Sequence, residues 1–171
     1  AMVLLVGRPG LFWRQSPRGV ILDAGTSLQR YTQAGLDILA YDLPRTVFAP
    51  GEVVDLTLYW RAVRMPSDNF PVTVSLAEAA SGRRVFQSYK PHVGDYPTTR
   101  WPRNRYVRDR YELPLSDDLS PGEYLILVEL WQCAESAWGG CQPGQRIEFF
   151  GERGVSLGQS LVLPVLLTVT P

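Results

Sequence analysis

Apolar residues return at every second position in several stretches of this chain, and the spacing of an amphipathic helix is almost absent. The clearest case is residues 53–62. Val54, Leu56, Leu58 and Trp60 share one face there, while Asp55, Thr57, Tyr59 and Arg61 share the other. A Pro50-Gly51 turn signal comes just before. Residues 121–131 repeat the grammar, with the same Pro-Gly-Glu opening and a closing Trp131 in the place of Trp60. The pair reads either as a duplicated unit or as two independent turn-plus-strand solutions.

Further strands are predicted over residues 71–77, 84–89, 105–115, 146–150 and 160–169, with a turn at Ser81-Gly82. Shorter apolar runs at 11–13, 20–22 and 36–41 give weaker strand signals. Eight or nine strands with turn chemistry between them predict an all-β fold. Its form is an antiparallel β-sandwich, immunoglobulin-like or jelly-roll-like. A closed barrel is the alternative. Only residues 26–34 suggest a helix. No linker-like shift in composition divides the chain, so a single domain over 1–171 is expected, with its weakest strand signals in residues 1–35.

Charge narrows the function classes. The 17 Lys+Arg balance the 17 Asp+Glu, at a pI near 6.8. A nucleic-acid binder normally needs a basic surplus for phosphate contacts, so that class is set aside. One His and two Cys cannot supply a four-ligand zinc site without carboxylates. Lys90 is the only lysine; every other basic residue is Arg, spread along the whole chain. The most apolar run, residues 161–170, is about half of the ~20 residues a membrane span needs, and Pro164 interrupts it. No membrane insertion by this segment is expected. The start lacks the basic region and cleavage site of a signal peptide. Ala1 before Met2 looks like a tag scar, so the chain is readable as a piece of a longer protein.

Residues 89–106 gather four aromatics, four cationic side chains, three Pro and the only histidine, His92. Tyr96, Arg100, Trp101 and Arg103 are the candidate ligand contacts. Flat rings take the apolar side of a pyranose, and guanidinium groups bond its hydroxyls. The structural alternative is an Ω-type loop whose Tyr96 and Trp101 fold back over one end of the core.

Asp109 is an oddity of pattern, because alternation puts it on the apolar face with Val107, Tyr111, Leu113 and Leu115. A carboxylate there must be paired or hydrogen-bonded. The expected partners are backbone N–H groups, or Arg100 or Arg103 from the preceding loop, which makes Asp109 a structural residue.

Cys133 and Cys141 enclose seven residues, within an expected loop that displays Trp138, a further candidate contact. A disulfide between them would stabilise by roughly 2–3 kcal/mol through loop entropy and would fit an oxidising compartment. Two free thiols are the alternative. Nucleophile elbows, zinc-protease motifs and phosphate loops are missing from the sequence. No catalytic residue, metal or cofactor is expected, and a hydrolase using Asp95 or Asp109 with His92 is the remote alternative.

Five ordered blocks carry a resemblance. They are residues 39–43, 50–62, 94–101, 107–113 and 121–124, with Tyr96-Pro97-Thr98 before Trp101 as the most distinctive run. Together they resemble a β-sandwich domain that follows the membrane spans of glycosyltransferase-like envelope proteins, notably in green non-sulfur bacteria. The resemblance covers residues 36–170. A Gly usual before the Val107 strand is replaced by Pro102-Arg103-Asn104-Arg105. The resemblance implies a non-catalytic, extracytoplasmic accessory module of the cell envelope. Its partner would be a glycan or another domain of the parent protein. A purely structural spacer is the alternative function.

Overall fold

The structure is a computed structural model that describes residues 14–15, 25–103, 105–135 and 141–171; for residues 14, 15, 95, 135, 141 and 142 it describes the backbone. The described residues form thirteen strands: β1 (Arg14–Gln15), β2 (Thr26–Thr32), β3 (Leu36–Asp42), β4 (Val47–Phe48), β5 (Val53–Ala62), β6 (Val72–Glu78), β7 (Arg84–Lys90), β8 (Arg105–Pro114), β9 (Gly122–Glu135), β10 (Cys141–Arg146), β11 (Phe149–Phe150), β12 (Ser156–Gly158) and β13 (Leu161–Val169). Four of these, β1, β4, β11 and β12, have only two or three residues. Of the longer strands, β3, β5, β6, β7, β8, β9 and β13 correspond to the predicted set and β2 and β10 do not, while the signals at 11–13 and 20–22 lie outside the described residues. No helix among the described residues is long and apolar enough to cross a membrane.

Two sheets stack as a sandwich. One has seven strands in the order β1-β8-β5-β3-β2-β11-β12, all antiparallel. The other has the order β4-β13-β9-β6-β7, and β10 pairs with the outer half of β9. A parallel contact of β4 with β13 is the departure from an all-antiparallel expectation. Alternation in β5 is realised as predicted, with Val54, Leu56, Leu58 and Trp60 each at most 1% exposed. They meet Val72, Val74 and Leu76 of β6 and Ile126, Val128 and Leu130 of β9 in one core. Burial of this kind, at about 25 cal/mol per Å2 of apolar surface, is the main force joining the sheets.

Residues 26–34 are a strand and a turn, not a helix. Leu28 and Thr32 are buried four positions apart, a spacing that imitates a helix. A bulge between Ser27 and Arg30, with Gln29 at φ 50°, inserts the extra residue that breaks simple alternation. The chain then reverses at Gly35 (φ 74°), whose N–H donates to the Thr32 carbonyl at 3.1 Å. Thr32 Oγ1 completes the turn by donating to the Leu36 carbonyl at 2.7 Å and accepting its N–H at 3.2 Å.

Residues 146–150 are also not one strand. Arg146 ends β10 beside β9, whereas Phe149 and Phe150 pair with β2 of the opposite sheet. The chain crosses between sheets at Ile147-Glu148, and Phe149 arrives fully buried. The two Pro-Gly-Glu segments fall in different sheets and out of phase. Aligned on that opening, Trp60 is a core residue, while Trp131 donates its indole N–H to Thr73 on the outer face. They are two independent uses of one turn.

The outer face of the seven-stranded sheet is covered at one end and open at the other. At the covered end Leu39, Ala40, Tyr59 and Tyr106 form a second, smaller buried cluster. Buried Asp37 meets Arg61 there at 2.9 Å. Burial pushes the Asp37 carboxyl above its ordinary range, and Arg61 pulls it partway back. The open end carries the cleft described below.

Candidate functional site

The aromatic loop between β7 and β8 folds back onto the core. It makes two short 3-10 turns, Val93–Asp95 and Thr98–Arg100. Gly94 sits at φ 68°, and a Cβ there would come within 2.3 Å of Val107 Cγ1, so the backbone lies against β8. Trp101 is 1% exposed and donates its indole N–H to the Tyr96 carbonyl at 3.2 Å. Buried Thr98 donates to the Asp68 carbonyl at 2.7 Å, tying the loop to the β5–β6 connection. Tyr96 is half-buried against the core, while Arg100 and Arg103 are exposed. The loop thus separates the predicted contacts, with the Trp101 ring inside and the two guanidinium groups outside.

Asp109 is fully buried and faces the other sheet, as alternation required. Its partners are not Arg100 or Arg103. Lys90 Nζ, from edge strand β7 of the opposite sheet, stands 2.7 Å from Asp109 Oδ1, and the Tyr111 hydroxyl donates to Oδ2. Lys90 also donates to the Arg110 carbonyl at 2.8 Å and lies 4.5 Å from the centre of the Tyr111 ring. The signal that could have found this partner was the solitary lysine in a chain of arginines. An ammonium is compact enough to enter where a planar fork is not.

A third buried carboxylate, after Asp37 and Asp109, is not singled out by the sequence pattern. Glu129 lies on the outer face of β9 yet has no exposed surface. Arg84 grips it with both terminal nitrogens, one at 2.9 Å. Thr73 Oγ1 donates to it at 3.2 Å, and Arg146, which lies over the Trp131 ring, approaches to 3.5 Å. Burial alone would raise its pKa, but Arg84, Arg146 and Thr73 more than offset this and hold it below the ordinary value.

The cysteines lie on paired strands rather than in a loop. Cys133 stands opposite Pro143, and Cys141 opposite Glu135, two positions out of step on β9 and β10. Trp138 falls outside the described residues.

A cleft of about 480 Å3 opens at the uncovered end of the seven-stranded sheet, walled by Gly25, Leu43 and Pro44. Its floor follows from strand register. Asp42, Thr57 and Arg110 align across β3, β5 and β8, Ala40, Tyr59 and Arg108 align in the row before, and Asp55 faces Glu112 in the row after. Rows lie about 6.6 Å apart and strands about 4.8 Å apart. Asp42 is fixed by the Tyr59 hydroxyl and the Gly25 N–H. Burial first, then the Asp42 carboxylate, push the Tyr59 phenol up to about 12, so it stays a donor at neutral pH. Arg108 lies 5.8 Å from the centre of the Tyr59 ring.

Thr57, Arg110, Asp55 and Glu112 differ from these anchored groups. Asp55, Arg110 and Glu112 are exposed and Thr57 is half-buried. None of the four side chains makes a hydrogen bond or ion pair among the described residues. Asp55 and Glu112 are like charges placed directly opposite, an arrangement unfavourable by about 0.2–1 kcal/mol. Among the described residues no three His, Cys, Asp or Glu side chains are grouped to hold a metal. The grid is instead a set of alternating hydrogen-bond donors and acceptors beside the apolar Leu43-Pro44 wall. The alternation that turns Asp109 inward also turns Arg108, Arg110 and Glu112 outward, as that of residues 53–62 turns Asp55 and Thr57. It did not reveal that β5 and β8 are neighbours, which is what brings them together.

The fold and this site define a β-sandwich domain with an open polar cleft on one sheet. No family model matches the sequence, and no curated protein matches it. Among solved structures, the chain is similar in fold to the C-terminal domain of Wzt, with a TM-score of 0.51 at 16% identity. That match covers 96% of this chain and 83% of the other.

Proposed function

We propose that this domain is a non-catalytic glycan-binding module and that its binding surface is the cleft on the seven-stranded sheet. The carrying observation is the group of four polar side chains on the sheet floor, Thr57, Arg110, Asp55 and Glu112, which have no hydrogen-bond or ion-pair partner among the described residues. Hydroxyl pairs of a sugar ring donate and accept at once, and side chains of both kinds at strand spacing answer that need. The grid spans about two strand spacings by two row spacings, the size of one to two pyranose rings. Leu43 and Pro44 supply an apolar edge for the C–H face of a ring. Extracytoplasmic placement, as an accessory part of an envelope protein, is supported by the sequence resemblance and by two cysteines on adjoining strands.

The test is a titration of the labelled protein with an oligosaccharide panel, followed by amide chemical shifts. Shifts should map to β3, β5 and β8, and Arg110→Ala should weaken binding at least tenfold with an unchanged melting curve. A blank panel would overturn the reading. A structural spacer is the second reading, favoured by Trp101, which closes the core instead of facing solvent.

A further inference from the structure

The charges around the cleft are unequal in availability. Three carboxylates, Asp42, Asp55 and Glu112, and two guanidinium groups, Arg108 and Arg110, line it. Asp42 is committed to Tyr59 and Gly25, and Arg108 lies over the Tyr59 ring. Beneath the floor, Lys90 and Asp109 neutralise one another. Neither the Asp42 nor the Arg108 contact cancels a charge and Arg108 stays exposed, so an incoming ligand meets three carboxylates against two guanidinium groups. Glu112 is two positions along the same strand from Arg110, and Asp55 is directly across from Glu112. A site built for uronic, sialic or phosphorylated sugars would present surplus guanidinium groups. This one holds one carboxylate more than it has guanidinium groups, and Asp55 and Glu112 make no ion pair among the described residues.

We infer that the cleft selects uncharged glycans, and that Asp55 and Glu112 are the residues that turn acidic glycans away. The inference rests on the glycan reading and adds the ligand class. Neutral hydroxyls accept from Arg110 and donate to either carboxylate. A carboxylate on the sugar gains Arg110 but meets two like charges within about one strand or row spacing. At an effective dielectric between that of a protein surface and water, a net repulsion of this kind weakens binding by about tenfold at low salt. Discrimination is then achieved by repulsion of the wrong ligand as much as by attraction of the right one.

The experiment uses neutral oligosaccharides of two to six units from the gluco, galacto, manno and N-acetylhexosamine series, each paired with its C6-oxidised uronate. Titration calorimetry at low and high salt should show neutral members binding with little salt dependence. Their uronates should bind about tenfold more weakly at low salt, and the gap should shrink at high salt. In the Asp55→Asn/Glu112→Gln double variant neutral binding should weaken, since both carboxylates accept from sugar hydroxyls, but the gap between each neutral member and its uronate should close. Uronates that bind as well as their parents, or a gap unchanged in the double variant, would overturn the selectivity alone. Binding of neither set would overturn the glycan reading and this inference with it.

Discussion

Lys90 and Asp109 join the two sheets through a 2.7 Å ion pair, in which the carboxylate has no exposed surface and the lysine is 17% exposed. Removing only the ammonium leaves a buried charge without its main counter-ion. Lys90→Met should therefore cost about 3–5 kcal/mol, while Lys90→Met combined with Asp109→Leu should recover most of that loss. Urea unfolding of both variants measures this. A single variant as stable as the parent would mean that the pair does not hold the sheets together.

Trp101 fills one end of the core, so Trp101→Ala should cost about 3–5 kcal/mol. Arg100→Ala and Arg103→Ala, both at exposed positions, should stay within about 0.5 kcal/mol of the parent. Thermal melts of the three variants suffice. If the Trp101 variant melts with the parent, the loop is a free surface and the spacer reading loses its support.

Acid stability should depend on Arg84. Burial works against the Glu129 charge, but Arg84, Arg146 and Thr73 bring its folded pKa below the ordinary 4.5. A depressed carboxylate contributes stability above the unfolded pKa, and that contribution is lost as pH falls through the lower folded value. Arg84→Met removes the leading stabiliser of the charge, so acid unfolding should begin at a higher pH. Circular dichroism across the acid range would show it, and coincident curves would rule it out.

At the alkaline end the relevant group is Tyr59, raised from 10.0 to about 12 by burial and by Asp42. The unfolded chain ionises this phenol first. Its contribution is thus complete below pH 10 and is lost as pH rises toward about 12. Ultraviolet titration of the parent minus Tyr59→Phe isolates the group. Asp42→Asn should move its midpoint downward, and an unmoved midpoint would dissociate Asp42 from the effect.

Material prepared under oxidising conditions should contain a bond between Cys133 and Cys141. Mass spectrometry should then find two hydrogens more after reduction. Two thiols that alkylate without reduction would show that the cysteines are free.

The strands were readable because burial of one face writes itself into every second residue. That is why residues 53–62 and the inward turn of Asp109 were legible. Alternation states which way a side chain points and is silent about which strand lies alongside. The partner of Asp109 was therefore assigned to the neighbouring loop, although Lys90 reaches it from the opposite sheet. The cleft escaped for the same reason, since its rows exist only when β3, β5 and β8 are laid side by side. Residues 26–34 misled for a local reason, because a bulged strand buries residues at helical spacing. Trp101 was legible as either a ligand platform or a plug, since one amphipathic ring suits both.

The parallel clasp of β13 on β4, with β9 on its other side, also sets a schedule. Val47 and Thr168 are neighbours in space but are separated by most of the chain. At ribosomal rates of about 5–20 residues per second, β9 waits roughly one to five seconds for β13, and β4 waits on the order of ten. During that interval the edge of β9 that β13 will occupy lies open, an invitation to strands of other chains. Slowing the arrival of β13 should therefore lower the yield of folded protein even though the finished core is unchanged.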